Sequence, residues 1–368
     1  MFGLFALACL LYQSASATSL RTVRERSSLK SPDHPSKTAD LQATPESIPT
    51  LNNFNRPSKN SLSAFPEIGG CAMFPANNIW NTPVDTLPVD AHSDAWINMI
   101  GRTTGFHMDF GSGNWDGGPI GIPFNMVDGT VPKVTFTFTY ADESDHGPYP
   151  MPASPLIEYG SDHHFLIVDK STCTLYEVYA ARFSAGKWLG GSGAIWDLNA
   201  NTLRPDTWTS ADAAGLPILP GLVRYDEIAA GAINHAIRFT ASETNRYIWP
   251  ARHLTSDDPN SPGVPPMGAR FRLKASFNIS GYPPELQVIL RAMQTYGIIL
   301  ADNGSDWYIS GAPDARWDND MLHQLDALKG ADFEAVNSSE LMVDPNSGEA
   351  SLADRLKVFL PLIISFGR

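Results

Sequence analysis

Apolar and polar positions alternate most plainly over Val131–Tyr140, VPKVTFTFTY. Val134, Phe136 and Phe138 interleave with Thr135, Thr137 and Thr139, the two-residue period of a strand with one buried face. Two further runs, His163–Asp169 and Thr174–Ala180, flank a short polar segment and predict a hairpin. One run carries His163 and His164, the other Glu177. Facing side chains in such a pair lie about 4.5–5.5 Å apart, so one of the two histidines shares a face with Glu177. Which one depends on the register.

Short apolar runs at HAIRFTA, Ala269–Ile279, IILAD and WYIS predict more strands. Helical signals are fewer. Ser93 opens a short helix to Ile100. PPELQVILRAMQTYG has proline in its first turn and Gly297 at its end. DNDMLHQLDALKG is a short amphipathic helix. LPILPGLVRYDEI carries prolines that preclude a regular helix. The expected fold is mainly β: a large antiparallel β-sandwich with a few peripheral helices.

The two ends read differently. Phe2–Tyr12 is a short apolar run followed by Ala15-Ser16-Ala17, so residues 1–17 are expected to be a signal peptide. Residues 18–64 are rich in Ser, Pro, Asn and Thr and are expected to be a disordered leader. A single β-rich globular domain is expected over 65–340. In the 341–368 tail, Asn346-Ser347-Gly348 precede a polar spacer and the apolar run Val358–Phe366. That order matches a lipid-anchor signal; a terminal helix packed on the domain is the alternative reading.

Composition narrows the partners. The net charge is −13 and only 18% of residues are charged. An acidic chain argues against nucleic acid or an anionic membrane surface as partner, leaving membrane contact to the C-terminal anchor. Glycine and proline number 29 each and aromatics make up 10%, which suits a compact, loop-rich β domain. Cys9 lies in the signal peptide, leaving Cys71 and Cys173 as an expected disulfide in an oxidising compartment. Asn278, Asn303 and Asn337 sit in N-glycan acceptor triplets. A secreted, extracellular location is therefore expected.

Three groupings carry candidate chemistry. The turn Asp142, Glu143, Asp145 and His146 crowds carboxylates, which raise one another's pKa; a solvated turn is the bland alternative. His163, His164 and Glu177, with Asp169 at the turn, offer a general base and an orienting acid. Adjacent histidines point to opposite faces of a strand, which argues against a shared metal ion. The third grouping falls in Trp196–His253: Asp212, Asp226, Glu227, His235 and His253, with Arg238 and Arg252 placed to bind a substrate carboxylate. Trp208 and Trp249 supply an aromatic wall there, and Trp115 offers a flat apolar platform in the glycine-rich loop GSGNWDGG. Buried ion pairs knitting long loops together are the competing reading of the third grouping.

The expected catalytic residues are Glu227, His235, His164, Glu177 and Asp212. The expected substrate-binding residues are Trp208, Trp249, Arg252, His253 and Trp115. No metal is expected, and no motif names a cofactor: GxSxG, nucleotide fingerprints and zinc spacings are missing. The runs WTSADAAGLPILPGLVRYDE, INHAIRFT, YIWPARH, PPMGARFRLKASF and YGIILADNGSDWYISGAPDARWDND resemble an uncharacterised family of secreted microbial proteins, some described as coagulation factor 5/8 type-like. The resemblance spans roughly Cys71 to Val336. It implies one secreted unit and assigns no catalytic residue. The expected function is enzymatic, a hydrolase or lyase acting on an extracellular polysaccharide by carboxylate or histidine acid–base chemistry. The alternative is a non-catalytic glycan-binding or adhesion module.

Overall fold

A computed structural model describes residues 66–351. The expected signal peptide, the leader and the C-terminal apolar run lie outside the described residues. Within them the protein is mainly β, with several sheets and few helices.

Two sheets organise the molecule. One has four strands in the order Gly193–Asp197, Thr174–Val178, Phe165–Asp169 and Phe124–Val127. The other has six, in the order Phe333–Val336, Arg270–Leu273, Ile298–Asn303, Ile237–Ala241, Tyr308–Ser310 and His107–Asp109. A smaller three-stranded sheet contains Arg182–Ser184, Lys187–Gly190 and Phe136–Phe138.

The pairing departs from the expected all-antiparallel arrangement. Ile237–Ala241 runs parallel to Ile298–Asn303, and Phe165–Asp169 parallel to Phe124–Val127. The connection between the first pair contains the helix Pro284–Thr295, the kind of crossover that parallel neighbours require. Ile237–Ala241 and Phe165–Asp169 are buried on both faces, and their sequences are mostly apolar. Such runs do not reveal strand direction.

Alternation sorts the side chains into layers. Leu166 and Val168 face one core, and Phe165 and Ile167 face another. Ile299 and Ala301 share the first of these cores, while Ile298 and Leu300 pack with the helices on the far side of the six-stranded sheet. The two larger sheets therefore contribute side chains to one common core, and the site forms within this layer.

Several expected elements are present. The hairpin forms between Phe165–Asp169 and Thr174–Val178. Phe136 and Phe138 are buried with Thr135 and Thr137 exposed. The helices are Ser93–Ile100 and Pro284–Thr295. Two readings change. Ala269–Ile279 supplies only the strand Arg270–Leu273. Asp226 and Glu227 lie in a short helix, Tyr225–Ala230, which starts beyond the last proline.

Cys71 and Cys173 are joined at a sequence separation of 102. In the chain-entropy account a loop of that size contributes about 4–5 kcal/mol. Residues 341–351 belong to the fold and are not a free tail. Arg252 binds the Pro345 carbonyl and Asn346, and Trp249 donates to the Ser347 carbonyl. Asn346-Ser347-Gly348 is thus held within the domain. Among the described residues no helix is long and apolar enough to cross a membrane.

Candidate active site

The register settles which histidine shares a face with Glu177. Leu166 pairs with Glu177, and His164 lies two residues before Leu166 on the same side. His163 takes a positive φ of 49° and is exposed. Both His164 and Glu177 point into the layer between the larger sheets, where water is excluded.

The six-stranded sheet presents Arg238 and Asp302 to the same layer. Arg238 pairs in register with Ile299, whose side chain packs in the common core. The pairing shifts between Phe239 and Thr240, so that Thr240 meets Asp302. This bulge re-aims the strand end, as bulges beside functional sites do.

Asp212 arrives on a loop that docks against the strand end. Ala214 N–H donates to the Ala301 carbonyl at 2.9 Å. Ser210 Oγ lies 2.9 Å from the Asp212 carbonyl oxygen and 2.5 Å from that of Leu216. Gly215 turns the loop with φ +70°, and a Cβ there would sit 2.4 Å from the Trp208 carbonyl oxygen. Only glycine fits this position without moving Asp212.

These residues interlock. Arg238 donates through Nε and Nη2 to the two oxygens of Asp212, at 2.7 and 2.5 Å. Its Nη2 also reaches Asp302 Oδ2 at 3.3 Å, and its Nη1 reaches Ser310 Oγ at 2.5 Å. His164 Nδ1 is 2.6 Å from Glu158 Oε2, and its Nε2 is 3.3 Å from the Ala211 carbonyl oxygen. Glu177, fully buried, accepts from the backbone N–H groups of Ile218 and Leu219.

Above this layer opens a cavity of about 320 Å³ lined by Tyr140, Tyr179, Glu143, Asp212, Asp302 and His253, among others. Asp302 keeps 22% of its side-chain surface open, so its carboxyl faces both the charged network and the cavity. At the rim, His253 Nδ1 contacts the Ala213 carbonyl oxygen at 2.8 Å, and Nε2 lies 3.8 Å from Glu143.

Burial, reinforced by the neighbouring Asp212 and opposed by Arg238, pushes the Asp302 carboxyl up to about 7. Burial likewise pushes Glu177 up to about 7, although the Leu219 and Ile218 amides oppose it. For His164 burial disfavours the charged ring, but the Glu158 carboxylate outweighs it and raises the imidazole to about 9. Glu158 is held below its ordinary range, its own burial cost being outweighed by His164. The network thus holds charge in pairs, with one proton-bearing carboxyl at the open face.

His164, Asp212 and Asp302 each offer one ligand atom within 4.8 Å of the others, a donor set of the right type for a dication. Arg238 competes for that place. It engages both oxygens of Asp212 and one of Asp302, so an entering cation must displace a guanidinium or sit beside it.

The remaining expected site residues lie elsewhere. Glu227 binds Arg224 at 2.6 Å and His235 at 3.2 Å in a separate buried network, and His235 Nδ1 is 2.7 Å from the Ala236 carbonyl oxygen. Their closeness in sequence reflects a helix start held by its own ion pair, the competing reading given above. Asp226 is exposed and pairs with Arg316. Arg252 is buried, each of its three nitrogens bonded within the fold, to Arg204, Pro345 and Asn346, with Asp206 3.5 Å away as its own carboxylate. Trp249 is committed to Ser347. Trp208 lies near the Arg204 guanidinium, 5.4 Å from its ring. Neither tryptophan lines the cavity. Trp115 borders a different groove. Asp145 is tied to Arg204 at 2.7 Å, and Asp169 caps the hairpin turn through Ser171. Asn303, an expected glycan acceptor, has its amide bound by Thr244, Thr255 and Ala241.

Glu227→Gln should therefore lower thermal stability, because it weakens a buried pair with Arg224. It should leave any turnover at the cavity unchanged within about twofold, the spread expected of a change remote from the chemistry. Differential scanning fluorimetry alongside an activity assay checks both parts.

Asp302, Glu158 and the central position of Arg238 are the site features that sequence reasoning missed. Asp302 ends an apolar run, IILAD, and an acid closing a buried strand was the available signal. Glu158 lies in a proline-rich loop with no such mark. Comparison with known proteins finds no matching family, no curated relative and no matching solved structure.

Proposed function

We propose that the protein is an extracellular enzyme that cleaves a polysaccharide by acid–base catalysis, with Asp302 as the proton carrier. The observation that carries this reading is one of placement. Asp212 and Asp302, from separate stretches of chain, both line a single cavity, and Arg238 and the His164–Glu158 pair are packed behind them, Arg238 bonded to both acids. Tyrosines, hydroxyls and acids line that cavity, with no lysine or arginine among them. That lining suits a polyhydroxylated substrate and disfavours an anionic one.

Asp302 in its acid form gives its proton to the departing oxygen as a C–O bond breaks. Water adds to the carbon, and its proton returns to Asp302. Arg238 holds Asp212 and limits the charge that accumulates when Asp302 is ionised. His164, fixed by Glu158, is a positioning residue that supports the Asp212 loop through the Ala211 carbonyl. The disulfide suits an oxidising compartment, and the resemblance to secreted microbial proteins agrees with export. The core shared by the two larger sheets supports describing the scaffold as an elaborated sandwich.

The test is release of new sugar ends from a panel of neutral and acidic extracellular polysaccharides, by wild type and by Asp302→Asn. Turnover by the wild type that disappears in the variant supports the proposal. Equal turnover by both refutes it, and binding with no turnover by either favours the adhesion module.

A further inference from the structure

A second concavity lies apart from the acid–base cavity. It encloses about 510 Å³ between the ribbon that carries Trp115 and the edge of the six-stranded sheet. Trp115 is 76% exposed and sits beside the turn of a two-stranded ribbon, Asn114–Trp115 against Gly118–Pro119. Opposite it, the rings of His107 and Tyr308, register partners on neighbouring strands, lie 4.4 Å apart. Asp109 and Asn114 add polar groups at the edge.

We propose that this groove binds a neutral sugar unit of the same polysaccharide that is cleaved in the cavity. The inference rests on the acid–base reading for the identity of the polymer. The groove itself supplies the chemistry. An aromatic plane matches the C–H face of a pyranose, and a rim of acid, amide and imidazole groups matches its hydroxyls. No lysine or arginine lines the groove, and Asp109 does, so an anionic ligand is disfavoured.

Two supports connect the groove to the cavity. Tyr159 donates from its hydroxyl to the Asp116 carbonyl at 2.8 Å and packs over Gly118, where a Cβ would fall 2.0 Å from the ring. Its chain neighbour Glu158 holds His164. Asp109 is the register partner of Ser310, whose hydroxyl binds Arg238. The ribbon that carries Trp115 is thus held by the chain neighbour of Glu158, and the groove's Asp109 is paired with a strand whose Ser310 binds Arg238, as expected of a subsite that keeps a fixed offset from the reacting bond.

The test uses the full folded protein carrying Asp302→Asn, to prevent turnover, titrated by calorimetry with xylo-, manno-, cello- and chito-hexaose. At least one hexasaccharide is expected to bind, and adding Trp115→Ala is expected to weaken that binding at least tenfold, about 1.4 kcal/mol. Trp115 is exposed, so its removal leaves the core intact. Unchanged affinity in the Trp115→Ala protein overturns the proposal, as does the absence of binding by all four sugars. Failure of the acid–base reading shows separately, as turnover of polysaccharide by Asp302→Asn at the wild-type rate.

Discussion

Replacing Arg238 with methionine should lower the free energy of unfolding by about 3–5 kcal/mol, the usual cost of removing one partner from a buried ion pair. Asp212 is fully buried and receives two of the guanidinium's hydrogen bonds. Without Arg238 its carboxylate loses the cation bonded to both its oxygens, and Asp302 loses the larger of the two positive groups, Arg238 ahead of His164, that oppose its rise. Methionine keeps much of the side-chain volume, so the cavity term is small and the loss reports the charge. Urea unfolding measures it. The double variant Arg238→Met with Asp212→Leu should recover part of the loss, because the stranded carboxylate is then gone. A loss below about 1 kcal/mol is what an exposed pair gives, and it would contradict the buried network.

Asp302→Asn should reduce turnover by about 100- to 10,000-fold, the range of a general acid or base. Asparagine retains the shape and an acceptor for the Asn303 N–H, which now binds Asp302 Oδ1 at 2.8 Å, but it has no proton to give. Folding should therefore survive where catalysis does not. The pH dependence follows from the same carboxyl. Its folded-state value of about 7 stands above the ordinary 3.8. The folded protein keeps this proton between those limits while the unfolded chain releases it. The group's contribution to stability is fully present below about pH 4 and falls as pH rises towards 7. As a catalytic acid Asp302 is lost over the top of the same window, so kcat/KM should decline above about pH 7.

The strands were legible because local alternation and turn residues specify them. VPKVTFTFTY and the hairpin around Asp169-Lys170-Ser171 carry both signals. The helix Pro284–Thr295 declared itself through its leading prolines and Gly297. The disulfide followed from there being two cysteines outside the apolar N-terminal run. His164, Glu177, Asp212 and His253 were recognisable as polar groups set in apolar or turn-rich surroundings; the structure brings the first three to one layer and sets His253 at the cavity rim.

Parallel pairing was not legible. Ile237–Ala241 meets Ile298–Asn303 across some sixty residues of chain, and a single register shift decides where Asp302 points. No local period encodes such a shift. Glu227 and His235 misled for the opposite reason: they are close in sequence, yet a three-residue spacing on a helix start satisfies Glu227 with Arg224 before any substrate is considered. Arg252 looked like a substrate clamp because its three loop partners lie between roughly fifty and a hundred residues away.

The central claim is that one carboxyl at the cavity floor holds a proton near neutral pH. Carbon-detected NMR of protein labelled at aspartate side-chain carboxyls, with Asp302→Asn used to assign the resonance, measures this without any substrate. A titration midpoint near pH 7 for Asp302 is the predicted result; a midpoint near 4 would leave an ordinary ionised surface acid at that position and contradict the account.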